Sequence, residues 1–141
     1  MSSGLKMILL VEDNPDDELL TIRAFEKNHI ANQITVCRDG AEAVAWLDAA
    51  TVLPQVILLD LKLPKVDGLG VLRHIRSSER LRLLPVVVLT SSREDRDLVE
   101  SYSLGANSYV RKPVNYEQFL EATRQLGMYW LVLNEVPPGA H

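Results

Sequence analysis

The sequence predicts a single α/β domain, a (βα)5 chain in which a doubly wound, parallel five-stranded sheet carries helices on both faces. Five short β-rich runs recur, and several are apolar without alternation, which is typical of strands covered on both faces. Stretches with helical spacing of apolar residues separate these runs, and such alternation indicates a parallel sheet. The length, 141 residues, is that of one domain.

The strands are predicted from apolar and β-branched runs, and the helices from apolar residues three or four positions apart. In chain order the predicted strands are "KMILLV" at 6–11, "QITVCR" at 33–38, "QVILLD" at 55–60, "PVVVLT" at 85–90 and "NSYVR" at 107–111. The residues that mark the helices are Leu19, Ile22 and Phe25, then Ala41, Val44 and Leu47, then Leu69, Leu72 and Ile75, then Leu98 and Tyr102, and last Phe119, Ala122, Leu126 and Trp130.

Capping residues indicate where helices begin and end. Asn14 can cap a first helix that opens with Pro15, Asp16 and Asp17, and the two acids match the positive end of the helix dipole. Gly105 stands where the fourth helix should end. The fifth helix is expected to continue to about residue 133, and the Pro- and Gly-rich segment 134–141 is expected to be a flexible tail.

Composition and charge argue against several classes of protein. The net charge is −4 and the basic residues are scattered, which disfavours a nucleic-acid partner, because such proteins carry a basic stripe. No apolar run approaches the roughly 18 residues of a membrane helix, and the first ten residues lack the features of a signal peptide. We therefore expect a cytoplasmic protein with no nucleic-acid or membrane partner.

The cysteine and the histidines are not expected to bind metal. The single cysteine, Cys37, excludes a disulfide or a Cys-based zinc site within one chain, and its place in the second strand favours a small apolar packing role. His29, His74 and His141 lack the spacing of metal ligands and are expected to be surface or packing residues.

Polar residues follow four of the five predicted strands, at the point where each strand ends. Glu12 and Asp13 stand at the end of the first strand, Asp60 ends the third, Thr90 ends the fourth and Lys112 follows the fifth. Because ligands of doubly wound sheets bind outside the carboxyl ends of the strands, these residues are expected to surround one site.

The chemistry of such a site follows from its charges. Two carboxylates about 4 Å apart repel by about 4 kcal/mol at an effective dielectric constant near 20. A hard cation relieves this repulsion, and Mg²⁺ favours one or two carboxylates with waters and phosphate oxygens. Lys112 would supply a positive charge suited to a phosphoryl oxygen. Asp60 could then act as a nucleophile that becomes an aspartyl phosphate.

Four segments of the sequence resemble the receiver domain of bacterial two-component response regulators. The resemblance spans about residues 5–127, which are taken as the domain core. In detail the chain is similar to the small single-domain regulators paired with phytochromes. It implies the flavodoxin-like strand order 2-1-3-4-5. The segments are "LLVEDNPDD", "ILLDLKLPKVDG", "VVVLTSS" and "SYVRKP".

The resemblance also implies a role for each matching residue at the site. Asp60 would be the phosphoacceptor, and Lys112 would contact the phosphoryl group. Mg²⁺ would be held by Asp60, by Asp13 directly, by Glu12 through water and by the backbone carbonyl of Lys62.

Further implications concern the switch and the partners. Thr90 would rotate its hydroxyl toward the phosphoryl group, and Tyr109 would turn inward behind it. The Lys112–Pro113 peptide bond would be cis. The partner would be a sensor histidine kinase, a phytochrome if the finer resemblance holds. A homodimer is also expected. The segment "LGMYWLVL" at 126–133 is apolar, and members of the family often dimerise through helix 4, strand 5 and helix 5.

Other interpretations of the residues remain open at this point. Asp60 could cap a turn, and Thr90 could cap the next helix. Asp16 and Asp17 are taken as helix-start charges rather than metal ligands. A small phosphatase or hydrolase with Asp60 as nucleophile is the main alternative function, although a second acid two residues later is missing. A dinucleotide binder is disfavoured by the lack of a Gly-rich loop after the first strand, and a docking module with a vestigial site is disfavoured by the complete residue set.

Overall fold

A computed structural model of the chain describes residues 7–28 and 33–112, together with 117, 120, 121, 124 and 125. Within these ranges strands and helices alternate as the sequence predicts, and the five described residues beyond 112 are all helical. The elements are β1 (Met7–Val11), α1 (Pro15–Lys27), β2 (Gln33–Cys37), α2 (Gly40–Ala49), β3 (Val56–Leu59), α3 (Gly68–Ser77), β4 (Val86–Thr90), α4 (Asp95–Ser103) and β5 (Ser108–Arg111).

The five strands form one parallel sheet in the order β2-β1-β3-β4-β5, which confirms the predicted fold class and strand order. The register aligns the strand ends, since Val11 pairs with Leu59 and Thr90 pairs with Arg111. All residues of β3 and β4 are buried. The aligned carboxyl ends therefore form one edge above a buried sheet.

The core lies on both faces of the sheet, which explains the non-alternating apolar runs. Leu9 and Ile57 pack in one cluster with residues of α2 and α3, whereas Leu10 and Leu58 pack in another with Phe25 of α1. Successive strand residues point to opposite faces, and both faces are covered, so the positions of the central strands β1 and β3 are all apolar.

Both predicted helix boundaries are confirmed. The Asn14 side chain accepts hydrogen bonds from the backbone N–H groups of Asp16 and Asp17, and Pro15 is the first residue of α1. Helix α4 ends at Ser103, and Gly105 follows with a φ of 93°, a backbone conformation that favours glycine.

The residues that predicted three of the helices do not all face the core. Leu19 is 47% exposed, Ala41 is exposed and Tyr102 is 50% exposed. Phe25 and Leu47 are buried, and the other buried positions are Thr21 and Ala24 in α1, Gly40 and Ala43 in α2, and Ser101 in α4. These other positions are small or hydroxyl-bearing residues, so apolar spacing alone does not identify the buried stripe.

The structure also shows the positions of Cys37 and of one histidine. Cys37 is buried, as expected, and the Nε2 atom of His74 lies 2.9 Å from Asp48 Oδ1 at the surface. No helix among the described residues is long and apolar enough to cross a membrane. Outside the described residues lie His29, His141, the Lys112–Pro113 bond, the segment 126–133 with the predicted helix end, and the predicted tail at 134–141.

Candidate functional site

The site is built at the carboxyl edge of the sheet, with Glu12, Asp60 and Lys112 one position beyond β1, β3 and β5. The backbone N–H of Glu12 donates to Cys37 O at 3.0 Å, that of Asp60 to Val11 O at 3.1 Å, and that of Lys112 to Thr90 O at 2.7 Å. These bonds extend the inter-strand pairing past the strand ends. The backbones of these residues are thus held by the sheet itself, which positions side chains more precisely than a loop does.

Three carboxylates meet at this edge, as the sequence predicts. One oxygen each of Glu12, Asp13 and Asp60 lies within 4.8 Å of the others. Glu12 is 1% exposed and Asp60 is 6% exposed, whereas Asp13 is exposed. Two acids therefore form the floor of a pocket and the third lies at its rim, where a cation could reach all three from solvent.

Lys112 enters this pocket from the end of β5 and is itself almost fully buried. Its Nζ atom donates to Glu12 Oε1 at 2.8 Å, to Asp17 Oδ2 at 2.9 Å and to Asp60 Oδ2 at 3.4 Å. These three bonds account for the three protons of an ammonium group. The carboxylates outnumber the ammonium they share, so the pocket keeps an excess of negative charge.

Burial and this crowding shift two pKa values. Burial raises the pKa of Glu12 to about 7, although the hydrogen bond and the charge of Lys112 oppose the shift. Burial on its own would lower the pKa of Lys112, but its hydrogen bonds to Glu12 and Asp17 and the charge of Asp60 raise that pKa above its ordinary value. Lys112 is therefore a fixed positive charge, whereas burial makes the Glu12 carboxyl group costly to ionise.

The loop after β3 holds the Asp60 carboxylate in place. Its Oδ1 atom accepts a hydrogen bond from the backbone N–H of Lys62 at 3.2 Å, while the Lys62 side chain is exposed. Gly68 begins α3 directly against this segment, and a Cβ atom there would lie 2.3 Å from the Asp60 carbonyl oxygen. The loop thus needs glycine at this position in order to pack below the acid.

Thr90 and Tyr109 lie on the neighbouring strands β4 and β5. Thr90 is buried, and its hydroxyl oxygen accepts a 3.2 Å hydrogen bond from the backbone N–H of Ser92. The residue that caps α4 is Glu94, so Thr90 is not the helix cap. The Tyr109 hydroxyl is buried and finds no hydrogen-bond partner among the described residues. A buried hydroxyl without a partner is costly, so this conformation of Tyr109 is not fully satisfied.

Asp17 is the residue at the site that the sequence did not identify. It lies in the first turn of α1, as predicted for a helix-start charge, but its side chain also forms the 2.9 Å ion pair with Lys112. The sequence feature that could have identified Asp17 is its position four residues after Asp13, in the first turn of the helix that follows β1. This turn lies at the edge of the sheet where Lys112 was expected.

The fold and the site together define a receiver domain. Residues 8–124 match the sequence profile of the response regulator receiver domain, and the chain belongs to this family. Membership makes it a signalling protein rather than an enzyme. The phosphatase alternative that the sequence left open finds no support in these comparisons.

Several individual proteins are similar to this chain over nearly their whole length. The probable methanogenesis regulatory protein FilR2 of Methanothrix harundinacea is 45% identical over 135 residues, which cover 93% of this chain and 87% of that protein. Response regulator Rcp1 of Synechocystis sp. is 36% identical over 141 residues, 96% of each chain.

Solved structures agree with these relatives. The Mn²⁺-bound form of Rcp1 matches with a TM-score of 0.85 at 36% identity, over 94% of this chain and 99% of that one. The phosphorylated cyanobacterial phytochrome response regulator RcpA matches with a TM-score of 0.87 at 38% identity, with the same coverage. The flavodoxin-like receiver fold is therefore shared with small phytochrome response regulators.

Proposed function

We propose that this chain is a phosphorylation-dependent switch in which Asp60 accepts a phosphoryl group from a partner histidine kinase. The observation that carries the proposal is the set of groups around the Asp60 carboxylate, which has an oxygen within 4.8 Å of oxygens of Glu12 and Asp13 and accepts a 3.4 Å hydrogen bond from the ammonium of Lys112. A carboxylate nucleophile there has further acidic ligands for a cation and a fixed positive charge within reach.

The residues fit a divalent cation. The three carboxylates offer hard oxygen ligands within 4.8 Å of one another, and they outnumber the single ammonium of Lys112. We assign the ligands as Asp13, Asp60, the backbone carbonyl of Lys62 and, through water, Glu12, with Mg²⁺ as the metal. The Mn²⁺ bound to Rcp1 supports a divalent ion. The bound ion would balance charge on the phosphoryl oxygens.

The transfer itself needs little beyond positioning by the chain. An Asp60 oxygen attacks phosphorus in line, the new P–O bond forms, and the P–N bond of the phosphohistidine donor breaks. The bonding electron pair of that P–N bond stays on the imidazole nitrogen. Lys112 donates a hydrogen bond to a phosphoryl oxygen. The positive charge of Lys112 stabilises the negative charge on that oxygen.

The switch follows from the charge that transfer adds. A phosphoryl group brings about −2 charge and strong acceptor oxygens to the end of β3. Thr90, whose hydroxyl accepts a 3.2 Å hydrogen bond from the backbone N–H of Ser92, turns that hydroxyl toward them. Tyr109 follows inward, and its buried hydroxyl has no hydrogen-bond partner among the described residues to give up. The surface of α4 and β5 is thereby biased toward one of two conformations.

The partners belong to the same proposal. The sensor histidine kinase is assigned as a phytochrome, because RcpA is a phytochrome response regulator. The homodimer is assigned to α4, β5 and the fifth helix, since Val99 and Tyr102 of α4 are large exposed apolar residues on that side. A cytoplasmic location and the absence of a nucleic-acid or membrane partner complete the proposal.

Intact-mass measurement after incubation with a small acyl phosphate tests this function. With Mg²⁺ the wild-type protein should gain one phosphoryl unit and slowly lose it, and EDTA should prevent the gain. Asp60→Asn should gain nothing. Asp16→Asn is the matched control, because it removes an exposed acid from the same edge and should behave as wild type. Modification that persists in Asp60→Asn would overturn the assignment.

A further inference from the structure

Lys112 contacts two acids on the β1–α1 segment more closely than it contacts the acid on which the chemistry centres. Its Nζ atom is 2.8 Å from Glu12 and 2.9 Å from Asp17, but 3.4 Å from Asp60. We infer that Asp17 is a positioning residue that draws the Lys112 ammonium off unphosphorylated Asp60 and releases it when phosphoryl oxygens arrive. This inference rests on the proposed function of Asp60.

Exposure decides which partner Lys112 can give up. The Glu12 side chain is 1% exposed, so breaking its ion pair would leave a buried charge without a partner, which is strongly unfavourable. The Asp17 side chain is 36% exposed, and water can solvate it once the ion pair opens. Of these two partners, Asp17 is the exchangeable one.

The backbone around Asp17 fixes where its carboxylate points. Its N–H donates to Asn14 Oδ1 at 3.1 Å, and its carbonyl accepts a 2.8 Å hydrogen bond from the hydroxyl of buried Thr21. The side chain therefore reaches Lys112 from a capped, rigid helical turn. An ion pair held in this way competes with the phosphoryl group for one proton of Lys112.

The chain provides a matched control in the preceding residue. Asp16 has the same charge, lies in the same helical turn and donates its N–H to the same Asn14 oxygen at 2.9 Å. Its carboxylate forms no ion pair with Lys112 in the described part of the chain. Asp16→Asn thus removes the same net charge and helix-dipole interaction without touching Lys112.

The first measurement is calorimetric titration of the Mg²⁺-loaded protein with beryllofluoride, which mimics the phosphoryl group on an aspartate. Because the Asp17 side chain is partly exposed, its ion pair with Lys112 is worth up to about 1 kcal/mol, so Asp17→Asn should bind beryllofluoride about 2–5-fold more tightly than Asp16→Asn. In a Lys112→Met background, Asp17→Asn should no longer differ from Asp16→Asn. Equal affinities of the two single variants, or weaker binding by Asp17→Asn, would overturn the inference.

The second measurement needs no metal and separates positioning from mere stability. The ¹⁵N resonance of the Lys112 ammonium, recorded in EDTA, should move in Asp17→Asn and stay in place in Asp16→Asn. An unmoved Lys112 resonance in Asp17→Asn would contradict the ion pair itself. If wild-type protein fails to bind beryllofluoride, the proposed function of Asp60 fails. If wild type binds and the two variants agree, this inference fails alone.

Discussion

Replacing Lys112 by Met tests how the acidic pocket is held together. Lys112, Glu12 and Asp60 are all buried, so the variant keeps most of the side-chain volume but removes the ammonium from two buried carboxylates. Removal of one member of a buried ion pair costs about 3–5 kcal/mol. We expect Lys112→Met to lose about that much free energy of unfolding at about pH 8, which lies above the pKa of about 7 that Glu12 has in the folded wild-type protein.

The loss should shrink at lower pH, because Glu12 can take up a proton. Its pKa in the folded protein is raised by burial to about 7 from an ordinary value of 4.5, so the folded state holds this proton more tightly than the unfolded state. The resulting stabilisation is fully present below the unfolded pKa and is lost as the pH rises through the folded one. Lys112 opposes the shift, so its removal raises the pKa of Glu12 further. At about pH 5.5 the variant keeps Glu12 protonated and loses less stability.

Urea unfolding in EDTA at both pH values measures this difference. Lys62→Met is the matched control, because Lys62 is exposed two residues after Asp60, and it should change the free energy of unfolding by no more than about 0.5 kcal/mol. The reasoning is refuted if Lys112→Met is as stable as wild type at both pH values, or if it loses more stability at the lower pH.

Three further predictions concern packing around the site. Tyr109→Phe removes a hydroxyl that lacks a partner among the described residues, so urea unfolding should show no loss of stability; a loss of more than about 1 kcal/mol would reveal a hidden partner. Gly68→Ala places a Cβ atom 2.3 Å from the Asp60 carbonyl oxygen and should lower the free energy of unfolding by about 1–3 kcal/mol. The loss should be smaller for the control Gly70→Ala, whose nearest contact is a side-chain methyl at 2.9 Å, and equal losses would contradict this packing. Burial raises the pKa of the Cys37 thiol to about 11, so it should react with a thiol reagent at neutral pH only after urea is added, and rapid labelling of the folded protein would contradict its placement.

The strands and the acidic pocket could be predicted because both depend on short-range patterns. The segment Val56–Leu59, which forms β3, is apolar at every position, and so short an apolar run is typical of a strand covered on both faces. Once the strands are parallel, the residues that follow them must share one edge. Asp13, Asp60 and Lys112 were therefore predictable as neighbours without any knowledge of side-chain geometry.

The helix faces and the role of Asp17 could not be predicted in the same way. In α2 apolar residues occur on several sides, so Ala41 and Ala43 are equivalent in the sequence, although only Ala43 is buried. In α4 the buried position is Ser101, which carries no hydrophobic signal. Asp17 contacts Lys112, 95 positions away, and the acid's preference for a helix start already explained its presence. The trace of this long-range contact in the sequence is weak, because it consists only of the position of Asp17 four residues after Asp13.

The central claim is that Asp60, among the acids at this edge of the sheet, is the one that accepts phosphorus with the help of a divalent cation. Borohydride reduction converts an aspartyl phosphate to homoserine, which peptide mass spectrometry locates by position. After treatment with a small phosphoryl donor and Mg²⁺, homoserine should stand at position 60, and none should form in EDTA. Homoserine at position 13 or 17, or none in the presence of Mg²⁺ and donor, would contradict the account.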